Sequence, residues 1–186
     1  MNLSQALGRC WHNVETEYTR GHLNNPSTFA FAFLKSFSAY QPDLNYAYDG
    51  RVIAGESYSP NLVIWHDHEK PHVVFIAKFS FHPQPKPLFQ RKLEHLKTSI
   101  CAPTVGILLN EFVAGNQLST PMPVSSNCEF GYFVIGNGRT IKKDRLASIE
   151  SLSREEKSRF HYAYATIPLE QKGDPVFDYI APANRV

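Results

Sequence analysis

The run VVFIAKFSF, Val73 to Phe81, sets one ammonium group, Lys78, inside a strand-like apolar stretch with no acidic neighbour in sequence. Burying an ammonium costs free energy unless it meets an anion, packs its stem while its head escapes, or acts on something. Just upstream, HDHEKPH brings His66, His68 and His72 together around Asp67 and Glu69, with His82 beyond the strand. A His-x-His pair on a strand points both rings one way and suits zinc or another transition metal. The segment has turn character and no third ligand at a set spacing, so a polar turn is the preferred assignment. NGRTIKKDR, Asn137 to Arg145, concentrates Arg139, Lys142, Lys143 and Arg145, and Lys86, Arg91 and Lys92 form an earlier basic group. Such bases suit a phosphate-contacting side or a solvated surface. No Ser-His-Asp or Cys-His constellation is recognisable by spacing, and neither GNG nor GHL has the context of a phosphate-binding glycine loop.

Those side chains need elements to position them. Leu3, Ala6, Leu7, Cys10, Trp11, Val14 and Tyr18 recur at helical intervals and predict an amphipathic helix over 3–21. Polar groups interrupt each apolar run, which argues against a signal peptide. Asn25 offers an N-cap and Pro26 a first helical position, predicting a second helix to about Ser38, although alternating Phe29, Phe31 and Phe33 also fit a strand. A strand through Tyr46 and Tyr48, a turn at Asp49-Gly50 and a short extended run follow. Leu62–Trp65 and Val73–Phe79 then form a hairpin whose nearly continuous apolar strands imply burial on both faces. After prolines at 83, 85 and 87, Phe89, Leu93 and Leu96 mark one face of a third helix, and TVGILLNEFV is a buried strand. Farther on, EFGYFVIGNG predicts a strand ending in a turn. SREEKSRFHYAYA predicts a helix opened by a Ser153–Glu156 capping box, and the tail after Lys172 is mostly irregular.

From Pro26 onward the order is αβββαβ, if the run after Gly50 is counted with the strand before it. With a lysine near the end of a buried strand that leads to a Lys/Arg-bearing helix, this order resembles the PD-(D/E)XK nuclease superfamily, the restriction-endonuclease-like fold. The resemblance covers about residues 26–113. It implies an α/β (α+β) protein with a mixed central sheet flanked by helices, to which the N-terminal helix and residues 114–186 are additions. It places Pro60-Asn61 where the family has Pro-Asp, and Ile76-Ala77-Lys78 where it has acid-x-Lys. In the family the two carboxylates hold Mg²⁺, while the lysine orients the attacking water and steadies charge at the phosphate. Here the lysine is kept and both acids are replaced. Magnesium needs hard anionic oxygen, so the resemblance implies a scaffold without its metal. The expected protein is non-catalytic, needs no cofactor, and binds nucleic acid or a protein partner in DNA processing, defence or a mobile element.

Two alternatives stand beside it. One is an active Mg²⁺- or Mn²⁺-dependent endonuclease with migrated acids, for which Glu17 on the first helix and Glu56 before the second core strand are best placed. Asp49 is a lesser candidate; Asp67 and Glu69 lie too far along the hairpin, because a strand rises about 3.3 Å per residue. The other is a structural or inhibitory module that docks to a protein.

Composition bounds all three. The 186 residues suit one domain with a core of its own, and 13 Phe with 9 Tyr argue for a packed globule. Cys10, Cys101 and Cys128 have neither metal-ligand spacing nor a disulfide framework, which fits reduced thiols in the cytoplasm. No apolar run approaches the roughly 20 residues of a bilayer span, so a soluble protein is expected. A net charge of +2 attracts nucleic acid only weakly, and phosphate binding would have to come from local clusters.

Overall fold

The helical spacing at the N-terminus forms α1, Leu3–Thr19, which buries Ala6, Leu7, Cys10, Trp11 and Val14. The structure is a computed structural model that describes residues 1–23, 25–48, 51–54, 60–66, 70–80, 85–108, 119–137, 147–168 and 174–182. Asn2 caps α1 by accepting from the Gln5 amide at 2.9 Å. At the other end Gly21 adopts φ 76°, donating to Tyr18 O at 2.9 Å, while the His22 amide donates to Glu17 O at 3.0 Å. Glycine takes this left-handed closure without a Cβ penalty, so the helix stops two residues short of the predicted limit.

Helix α2, Pro26–Tyr40, begins with Asn25 and Thr28 capping each other and Pro26 in the first turn. Residues two apart on a helix face opposite sides. Accordingly Phe29 and Phe33 are buried while Phe31 is 68% exposed, and the phenylalanine alternation belongs to a helix.

The strands are β1 (Leu44–Tyr48), β2 (Arg51–Ala54), β3 (Leu62–His66), β4 (His72–Ser80), β5 (Thr104–Leu108), β6 (Ser119–Asn137), β7 (Phe160–Ile167) and β8 (Val176–Ile180), with α3 at Lys86–Ile100. The order β1-β3-β4-β6-β5-β2, with β7 paired to β6 and β8, makes an α+β fold with an eight-stranded sheet. The two runs around Gly50 do not merge into one strand. β1 pairs with β3, from Leu44↔His66 to Tyr48↔Leu62, whereas β2 pairs with β5.

The chain forms two compact units. One comprises Met1–Pro42, Phe79–Lys86 and Tyr132–Val186; there Phe33, Phe79 and Phe133 cluster with ring centroids 4.9 to 5.4 Å apart. Trp11 joins them through Phe133 at 5.8 Å. The other comprises Asp43–Lys78 and Pro87–Gly131, and its core includes Leu62, Ile64, Phe75, Ile76, Phe89, Leu93 and Leu96.

Three later segments differ from expectation. The Ser153–Glu156 capping box is present, but its helix is one turn, Arg154–Lys157, and residues 160–167 are β7. Phe160 to Ala165 are all buried, as a strand packed on both faces requires, and aromatic side chains favour that state. The expected irregular tail contains β8, paired with β7 from Tyr162↔Ile180 to Thr166↔Val176. β6 starts well before the predicted strand, across Pro121 and Pro123, which stand opposite Gly106 and Thr104 of β5. Prolines two apart lose amide donors on one edge of the strand only, leaving the other edge intact.

Candidate functional site

The β3–β4 hairpin sets the positions singled out for chemistry. Leu62 pairs with Ala77 and Val63 with Ile76, and the Asn61 amide donates to Ala77 O at 3.0 Å. Opposed residues of an antiparallel pair share a face and side chains alternate along each strand. Asn61, two before Val63, therefore lies on the same face as Ile76 and Lys78. The hairpin is buried on both faces at this level: Leu62, Val63, Ile76 and Ala77 are all 0% exposed. Asn61 and Lys78 are half-buried at the end of this apolar patch.

This donor set does not fit a divalent cation. Ile76 has no ligand atom, and Asn61 supplies a neutral carbonyl where a hard ion wants anionic oxygen. Among the described residues no three His, Cys, Asp or Glu side chains group to hold a metal. Glu17 lies on α1 in the other unit's chain segments, where it accepts from His22 Nδ1 at 2.8 Å and Arg20 at 3.4 Å. The His22 hydrogen bond, with the charges of His22, Arg20 and Lys35, holds its carboxyl below the usual range. Glu56 and the acids at 49, 67 and 69 lie outside the described residues.

A one-residue bulge shifts the pairing at the His66–His72 end of the hairpin. Ile64 pairs with Phe75 but Trp65 with Val73, so Val74 is the extra residue and His66 faces His72. Their rings sit 5.3 Å apart. His72 Nδ1 lies 3.0 Å from Lys70 O, and because a carbonyl only accepts, Nδ1 carries the proton. The strand thus matches His66 with His72, while His68 and His82 lie outside the described residues.

Of the basic positions, Lys86, Arg91 and Lys92 fall on α3, which buries Phe89, Leu93 and Leu96; Arg91 lies opposite that stripe, while Lys86 and Lys92 flank it. Lys86 and Arg91 are exposed and Lys92 is half-buried. Burial, then the adjacent Arg91 charge, lowers the Lys92 pKa, so an incoming anion would relieve local repulsion. Lys97 is engaged with Glu94 at 3.0 Å. Arg139, Lys142, Lys143 and Arg145 lie outside the described residues.

Two arrangements were not anticipated as sites, although Glu17 belongs to the first. A groove of about 580 Å³ runs between α1 and α2, lined by Asn13, Glu17, Arg20, Phe31, Lys35 and Tyr40 among others. Its only signal in sequence was Phe31, an apolar residue out of phase with the buried face. The second is a polar chain at β8: the Tyr179 hydroxyl donates to Ser4 O at 3.1 Å and accepts from His161 Nδ1 at 2.7 Å. With its single proton committed to Ser4, the phenol fixes His161 with hydrogen on Nδ1. No family model, no curated protein and no solved structure matches the chain. No helix among the described residues is long and apolar enough to cross a membrane.

Proposed function

We propose that this chain is a non-catalytic protein with a nuclease-like hairpin, and that it binds the phosphate backbone of nucleic acid. The observation behind this is the shared face of Asn61, Ile76 and Lys78: one cation, one amide and one fully buried hydrocarbon. A lysine there can still meet a phosphate, while hydrolysis through a bound cation has lost its anchors. The Arg91–Lys92 pair on α3 offers a second positive contact.

Fluorescence anisotropy with labelled duplex and single strands, over a range of salt concentrations, tests the binding. Affinity is expected to fall steeply with salt, and Arg91→Glu with Lys92→Glu, or Lys142→Glu with Lys143→Glu, to flatten the log–log slope by about one per lost phosphate contact. A supercoiled plasmid should stay intact with Mg²⁺ or Mn²⁺. Nicking that disappears in Lys78→Ala would establish the migrated-acid endonuclease instead. Salt-insensitive capture of a protein, with no nucleic acid bound, would favour the docking module.

A further inference from the structure

We infer that the α1–α2 groove binds a nucleotide unit, a planar base carrying a phosphate. This does not rest on the hairpin or on α3, because the groove is built from other residues. Its volume of about 580 Å³ falls within the roughly 300–1,000 Å³ usual for small-molecule sites.

The lining selects the ligand by charge first. Glu17 is already answered by His22 and Arg20, and the closure of α1 on Gly21 fixes His22 beside it. Lys35 makes no ion pair among the described residues, yet lies near enough for its charge to stabilise the Glu17 carboxylate. Two cations and a histidine against one carboxylate leave the groove positive, which favours an anion.

The aromatic requirement comes from Phe31. Exposed single apolar residues are ordinary, but this one lines a concavity and stands one helical turn from Lys35. Side chains four apart on a helix have Cβ atoms about 5–6 Å apart, which suits a base stacked on Phe31 with its 5′-phosphate at Lys35. Asn13 on α1 and Tyr40 at the end of α2 supply groups for sugar hydroxyls. Asn13 Nδ2 donates to Ser36 Oγ at 3.2 Å and to Tyr40 Oη at 3.1 Å, committing both its hydrogens. Asn13 Oδ1 and the Tyr40 hydroxyl proton have no partner among the described residues, and the Tyr40 ring is backed by Arg9 at 5.9 Å.

Calorimetry on the full chain with uridine and adenosine 5′-monophosphates tests this, with uridine, inorganic phosphate and an oligouridylate as companions. One saturable site is expected for each nucleotide, with uridine or phosphate alone at least about tenfold weaker. Phe31→Ala should weaken binding about fivefold to a hundredfold, the range for loss of one base–aromatic stack. Lys35→Glu should remove the advantage of the nucleotide over uridine, and Glu17→Gln should tighten binding. Both Phe31 and Lys35 are exposed, so their variants can be required to keep the wild-type circular dichroism spectrum. An oligouridylate that binds more tightly than the monomer and displaces it identifies a strand as the source; equal affinity identifies a free nucleotide. Absence of saturation at millimolar nucleotide, or affinity unchanged in both folded variants, overturns the assignment. Charge reversal at Arg91 and Lys92 should leave mononucleotide affinity unchanged, which separates this site from the backbone-binding reading.

Discussion

Ile76 is fully buried opposite Val63, and that fact gives the eroded-motif reading a sharp consequence. A glutamate at 76 would place a carboxylate among hydrocarbon, raise its pKa and destabilise the metal-free protein by about 2–5 kcal/mol. If Asn61, Ile76 and Lys78 occupy the motif positions, Asn61→Asp with Ile76→Glu recreates two anionic anchors on one face. Added Mn²⁺ should then raise the melting temperature of the double variant and leave the wild type unmoved. A folded double variant indifferent to Mn²⁺ would mean that the alignment is wrong. That Ile76 and Lys78 share a face was legible, because alternation along a strand is a local rule; that Asn61 joins them depends on the register of β3 against β4. The His66–His72 match was not legible: it depends on the bulge at Val74, which nothing in the apolar run VVFIA announces.

Among the elements, α1 approaches β8 closely at a single glycine. A Cβ at Gly8 would stand 3.1 Å from Cδ1 and Cε1 of Tyr179, and that ring is tethered by His161 and by Ser4 O. Gly8→Ala gains about 1 kcal/mol of helix propensity, but the held ring cannot retreat without stretching one of its hydrogen bonds. Overpacking of this kind costs about 1–3 kcal/mol, so the net expectation is a lower urea midpoint. In a Tyr179→Ala background the same substitution should raise it. Equal effects in both backgrounds would show that the contact does not set the spacing of helix and strand. The helices were legible in advance because caps and 3.6-residue spacing are written locally, as at Asn25 and Thr28. β7 was not, since Ser153 and Glu156 do start a helix and pairing with β6 and β8 makes the following residues a strand.

For the molecule as a whole, the α+β class is the one that the order of helices and strands, through its resemblance to a nuclease-like core, led one to expect, whereas the strand order was not legible. β1 and β2 are separated by two residues in sequence yet end at opposite positions of the order, a choice made by β5 and β3 and not by either run. The groove escaped notice for the same reason: it exists only once two helices pack. Folding also buries acids that ionise readily in the unfolded chain, with a consequence for global stability. Burial pushes the Cys10 thiol from 9.0 up to about 12, offset slightly by a backbone hydrogen bond. Burial, then the hydrogen bond to Asp178 at 2.9 Å, pushes Tyr164 from 10.0 up to about 12. Both folded-state pKa values lie above the unfolded ones, so the unfolded chain releases protons first as the pH rises. The stability is fully present below pH 9 and is lost on approaching pH 12. Cys10 alone should contribute a slope of about 1.4 kcal/mol per pH unit across that window, and Tyr164 adds to it above pH 10. Urea midpoints between pH 8.5 and about 10.5 should fall in the wild type, and Cys10→Ala should flatten the decline at its lower end. A wild-type midpoint that stays level across this range, or a Cys10→Ala variant with an undiminished slope, would show that the thiol is not held neutral by its surroundings.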